Sequence, residues 1–162
     1  MTVSKLLVVV PCGQSKIWKK YPTKGFEVAK KAYTGAPFKV NKAFAEKFAS
    51  NLPDRWVVLS AKYGFIEPDV RINDYNVTFK KTNPKPISLN ELKKQYIEKE
   101  LGVFDVVIAL GGEDYSNKVK QVFNHSNVIA PATGLPIGIG MGFVKELTSC
   151  NREDMLNRIT NG

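Results

Sequence analysis

The stretch VVLSAKYGFIEPDVRINDYNVTF, residues 57–79, decides the fold class. It opens as an apolar strand and changes within one residue to a loop dense in groups that can touch a ligand: Lys62, Tyr63, Asp69, Asp74, Tyr75, Asn76 and Thr78. In an open parallel sheet, ligands bind in the crevice outside the carboxyl ends of the strands. A long, chemically varied loop at such a position is expected to carry function. A plainer alternative stays open: Tyr63-Gly64-Phe65-Ile66 tucks aromatics onto the sheet edge, and Pro68-Asp69 is an ordinary turn.

Working outward, residues 5–10, KLLVVV, form a valine-rich run of the kind a parallel strand buried on both faces requires. Residues 56–60, 105–110 and 127–130 supply three more strands. Helical spacing fills the gaps. Phe44, Ala45 and Phe48 share one face of residues 41–50. Ser88 and Glu91 form a capping box, and the helix they open buries Leu89, Leu92, Tyr96 and Leu101 before stopping at Gly102. Residues 113–123, 137–147 and 151–159 complete the helices, the first with Tyr115, Val119 and Val122 inward. This alternation predicts one α/β domain over residues 1–162, with three α/β/α layers around a four-stranded, mainly parallel sheet of order 2-1-3-4.

Chemistry gathers where the strands end. In PCGQSK, residues 11–16, Cys12, Gly13, Ser15 and Lys16 can cradle a phosphate or Gln14 can face a base, although this is not the GxxxxGK[ST] of a P-loop. Gly111 and Gly112 let backbone approach a ligand or turn tightly into the next helix. Residues 17–39 read as a long irregular excursion with a short helix near 27–31, too polar for core. Its Trp18, Tyr21, Phe26, Tyr33 and Phe38 alternate with lysines, either as stacking faces beside phosphate partners or as anchors of a long loop. In residues 131–142, PATGLPIGIGMG, the glycines follow GxGxG rather than GxGxxG. No nicotinamide or other cofactor is expected.

Charge points to the partner. With 24 basic and 15 acidic residues the chain carries +9, which favours nucleic acid through clustered phosphate contacts. One histidine and two cysteines without CxxC spacing are too few for zinc, and His125 reads as a surface residue at a helix end. There is no apolar run of about eighteen residues and no signal peptide, so no membrane partner is expected and a cytoplasmic location is. Length and composition leave oligomeric state open.

Taken together, PCGQSK, AYTGAPFKVN, VVLSAKYGF with Pro68-Asp69, DYNVTF, ALGG and GLPIG resemble a small bacterial and phage domain family of unknown function with PCGxSK, LSAKYG and YNVTF motifs. The likeness covers roughly residues 5–142. More distantly, the LSxxYG pattern is similar to the YaaA peroxide-stress proteins, which are associated with DNA binding, and to a domain with a uracil-DNA-glycosylase-like fold. The resemblance implies that fold and an enzyme acting on modified DNA bases. The water-activating motif and catalytic histidine loop of uracil excision are missing, so that reaction is not implied.

The expected function is an N-glycosylase-like hydrolase that excises a base from DNA. Asp69 is its first-choice carboxylate, with Asp74 in reserve, and Lys62 faces phosphate or the departing base. Asn76 and Gln14 can pair with a base edge, while Tyr63 and Tyr75 stack on it. Tyr33, Gly64, Cys12, Gly13, Ser15, Lys16, Gly111 and Gly112 complete the expected binding set. Two alternatives remain: a nucleic-acid binder without chemistry, and an N-glycosidase acting on free nucleotides.

Overall fold

The computed structural model describes residues 5–124 and 127–161. The first half of the chain runs β1 (Leu6–Pro11), β2 (Glu27–Val28), α1 (Ala29–Ala32), α2 (Ala36–Ala49), β3 (Arg55–Ser60), β4 (Gly64–Ile66) and β5 (Arg71–Ile72). The second half runs α3 (Leu89–Glu98), β6 (Val106–Ala109), α4 (Glu113–Val122), β7 (Asn127–Ile129), α5 (Ile137–Thr148) and α6 (Arg152–Asn161).

Sheet order is β4-β3-β1-β6-β7, with β3, β1, β6 and β7 parallel and β4 antiparallel to β3. Five strands therefore replace the expected four. Only three residues form β4, too few for alternation to be read, and it lies inside what the sequence presents as a loop. Tertiary contacts hold it there. The Gln95 side chain of α3 accepts from the Phe65 amide at 2.8 Å and donates to the Tyr63 carbonyl at 2.9 Å. Beyond it, Glu67 pairs with Arg55 at 3.1 Å and with Lys99 at 3.2 Å.

Period-two alternation divides the apolar residues of β1 between two cores. Leu6, Val8 and Val10 pack with α2, α5 and α6, whereas Leu7 and Val9 pack with α3 and α4. The sheet is thus covered on both faces, as its unbroken valine run requires. Asp54 ties this centre to the last helix: its carboxylate accepts from the Leu6 amide at 2.8 Å and pairs with Arg152. At α3, Ser88 caps as its spacing predicts, accepting from the Glu91 amide at 3.1 Å.

Residues 17–39 depart from expectation. Instead of an irregular polar excursion, they hold Trp18, Tyr33 and Phe38 in the core, and β2 pairs with β5 in a two-stranded ribbon. The indole of Trp18 donates to the Gly25 carbonyl at 2.5 Å, closing the intervening loop on itself. Helix α2 starts at Ala36, ahead of the expected residue 41, because Gly35 caps it and Pro37 suits its first turn.

Removing the Gln95 clamp should loosen the sheet edge. Gln95→Ala is expected to cost about 1–3 kcal/mol by stranding a buried amide and carbonyl, read as a lower urea midpoint. An unchanged midpoint would show that β4 holds without α3.

Candidate functional site

Strand β1 has parallel neighbours on both sides, and its connection and that of β6 leave over opposite faces. This is the switch point at which an α/β sheet opens a crevice. A cavity of about 950 Å³ occupies it. Its walls are the loop Pro11–Ser15, the start of α2 with Phe38 and Asn41, the loop and helix start Gly111–Tyr115, and the first turns of α5. Gly111 sits at φ +91°, and a Cβ there would lie 2.5 Å from the Pro11 ring. Glycine is what lets the loops after β1 and β6 close on each other.

Three helices begin on this cavity with Gly35, Gly112 and Pro136 as caps, none with a side chain bonded to its first-turn amides. Open helix N-termini favour negative groups such as phosphate. Two carboxylates, Glu113 and Asp114, line the wall beside them, and Asp114 is 3.7 Å from Lys80. On the floor the Cys12 thiol is 3.3 Å from the Tyr115 hydroxyl, whose ionisation burial pushes upward. Among the described residues no three His, Cys, Asp or Glu side chains are grouped so as to hold a metal ion.

A second polar group lies at the end of β3. Ser60 donates to the Tyr75 hydroxyl at 2.9 Å and accepts from the amides of Lys62 and Tyr63, both at 3.1 Å. Tyr75 in turn bonds the Tyr33 hydroxyl at 2.6 Å. Lys16 lies 4.6 Å above the Tyr75 ring, and the Tyr63 ring meets that ring edge-on at 5.4 Å. Burial holds the Lys16 ammonium below the usual lysine range, partly offset by Cys12 and Asp74. From Tyr75 the chain crosses the sheet end, packing Val77 on one core and Phe79 on the other before Lys80 reaches the cavity. On this crossing, the Thr78 hydroxyl is buried without a hydrogen-bond partner among the described residues.

The expected site residues separate into groups. Cys12, Gly13, Gln14, Ser15, Gly111 and Gly112 all line the cavity. Lys16, Tyr33, Tyr63 and Tyr75 converge on the cluster at β3, where Tyr33 and Tyr75 are 3% and 8% exposed and so offer no open face for stacking. Gly64 is buried in β4 at φ +76°, directly beneath Gln95, and has a structural task. Asn76 is exposed at the start of the crossing segment. Asp69, with its side chain 80% exposed, pairs with Lys30 at 2.7 Å, and the exposed Lys62 lies 5.2 Å from the Tyr63 ring centre. Neither is among the residues that line the cavity. His125 falls outside the described residues.

Glu113, Asp114, Tyr115 and Asn41 line the cavity without having been singled out from the sequence. Two acids immediately after a double glycine at a helix start were the available signal for the first pair. Asn41 had a fainter one, as a polar residue within the buried stripe of α2.

A family model described as a family of unknown function (DUF6884) matches residues 7–146. The chain belongs to this family. A stretch of 138 residues is 35% identical to the uncharacterized protein YfjM of Bacillus subtilis (strain 168), covering 84% of this chain and 89% of that protein. No solved structure matches significantly. The family match spans β1 through most of α5, and hence every wall of the cavity.

Burial of the paired phenols has a consequence for pH. It pushes the ionisation of Tyr33 and Tyr75 above the ordinary value of 10.0, so the folded state keeps protons that the unfolded chain loses. Their contribution is complete below that value and is lost as pH rises above it. Urea midpoints should therefore fall above pH 10.0, and Tyr75→Phe should flatten that fall while costing about 1–2 kcal/mol at neutral pH. A variant with an unaltered alkaline slope would remove this cluster as the cause.

Proposed function

We propose that this protein is an N-glycosylase-like hydrolase acting on nucleic acid, DNA favoured, with the switch-point cavity as the seat of a single nucleotide. One observation carries this: a cavity large enough for a nucleotide, lined by Glu113 at the start of α4, by the starts of two further helices and by small-residue loops. Such sites commonly enclose about 300–1,000 Å³. Glu113 has no ion-pair partner among the described residues, whereas Asp114 faces Lys80 and Asp69 faces Lys30. It therefore takes the role expected of Asp69.

Base excision breaks the C1′–N bond and joins a water oxygen to C1′. In the proposed arrangement, Glu113 steadies the cationic sugar and accepts the proton released by water, then passes it through solvent to the departing base nitrogen, which returns Glu113 to its ionised form. Helix starts and Lys80 take phosphate, and Gln14 faces the base or the sugar. The net charge of +9 supports a polyanionic substrate. Kinship with YaaA and with the uracil-DNA-glycosylase-like fold belongs to the same proposal, and the parallel sheet with its crevice at the switch point supports it.

A second function has its own support. Tyr21 and Phe26 are 52% and 56% exposed in a stretch that also holds Lys19, Lys20 and Lys24, and Tyr21 lines a hollow of about 440 Å³ with Lys20 and Lys24. Exposed rings among lysines suit a binder of single strands that performs no chemistry.

The deciding experiment incubates the protein with DNA containing ordinary and modified bases and looks for released base by mass spectrometry. Release is expected, with a loss of about 10²-fold or more in Glu113→Gln and strand binding retained. Salt-sensitive binding without release from any polymer would favour the binder. Release only from free nucleotides, with weak salt dependence, would move the substrate out of nucleic acid.

A further inference from the structure

The buried stripe of α2 contains Phe38, Asn41, Phe44, Ala45 and Phe48, spaced to face one side of the helix. Every member but one is apolar. Asn41 is only 6% exposed, yet its carboxamide has no hydrogen-bond partner among the described residues. Its nitrogen and oxygen are not among the fully buried, unpartnered atoms, so the carboxamide keeps contact with solvent, as an unpaired polar group must. What little surface Asn41 keeps belongs to the cavity, which it lines.

Its surroundings narrow what could satisfy it. Phe38, Ala132, Gly140 and Val144 share that wall and are all buried. They offer apolar surface and no competing hydrogen-bond group from their side chains. A carboxamide presents one acceptor and one donor pair in a single plane. Its complement is a flat, weakly polar ring with an adjacent donor and acceptor on one edge.

We infer that the inner end of the cavity is a subsite for a nucleobase, and that Asn41 reads the edge of that base through paired hydrogen bonds. This rests on the nucleotide-sized cavity of the proposed function and adds its specificity residue and the class of group recognised. The carboxamide keeps its contact with solvent and so exchanges water for the base on binding. Asn41 bonds the base, while Glu113 acts at the sugar.

Three proteins test this: the unaltered chain, Asn41→Leu and Asn41→Asp. Each is titrated calorimetrically with free uracil, cytosine, adenine and hypoxanthine, and melted without ligand. The unaltered chain should select among the bases. Asn41→Leu should lose about five- to hundred-fold in affinity for the preferred base and melt within about 4 °C of the parent, since no hydrogen bond to another described residue is lost. Asn41→Asp, which when ionised only accepts, should shift preference toward amino-bearing edges.

The inference is overturned if no base binds the unaltered chain, if the leucine variant binds as tightly with the same selectivity, or if that variant melts well below the parent. The last result would make Asn41 a structural residue. Failure of the glycosylase proposal is distinguishable, because it would show base binding through Asn41 with no release from any DNA. Release unaffected by Asn41→Leu would instead leave the chemistry and remove the subsite.

Discussion

Burial of β1 on both faces is the constraint on which the rest depends. A strand whose residues Leu6–Val10 all lie inside cannot carry ligand groups along its length, so its polar chemistry is displaced to its end. That end is Pro11–Lys16, and the loop after β6 meets it through Gly111. The cavity follows from topology: two crossovers leave on opposite faces and cannot cover the gap between them. Helix N-termini then arrive around it without further design, because each helix after a parallel strand starts at the same end of the sheet.

The cluster at β3 does a different job. Tyr33, Ser60 and Tyr75 satisfy one another, and Ser60 also takes up two loop amides, so hydroxyls that would be expensive alone are buried as a network. Through it the excursion that follows β1 and the segment that follows β5 are tied to the sheet end. The tie positions the crossing segment, and Lys80 reaches the cavity wall because Val77 and Phe79 are anchored on opposite cores. The cluster thus supports the sheet end at which the cavity opens, although the sequence offers the same residue types for both.

Continuous or periodic apolar patterns were legible. The runs LLVVV, WVVL and VVIA occur as strands, and Ser88 caps its helix. For PCGQSK and the double glycine, a place at the sheet end was legible too, since residues that follow a buried strand must lie at its carboxyl end. Polar orientation inside long loops was not. Asp69 and Asp74 look alike in sequence and both are exposed, yet α1 brings Lys30 alongside Asp69. Gly64 looks like a ligand-approach glycine and instead makes room for Gln95, a residue on another element.

By itself the sequence determined an α/β fold, the buried strands of its sheet, the cationic balance and the loops at which chemistry gathers. These depend on local periodicity and composition, which neighbours along the chain suffice to express. Only the tertiary structure decided that Tyr33 and Tyr75 face each other inside, that Gly64–Ile66 adds a fifth strand, that Glu113 stands at the cavity, and that Asn41 lines it with no hydrogen-bond partner among the described residues. A polar side chain is held or left wanting by groups that arrive from distant positions. The cost of burying it is therefore set by the assembled fold, where no periodicity records it.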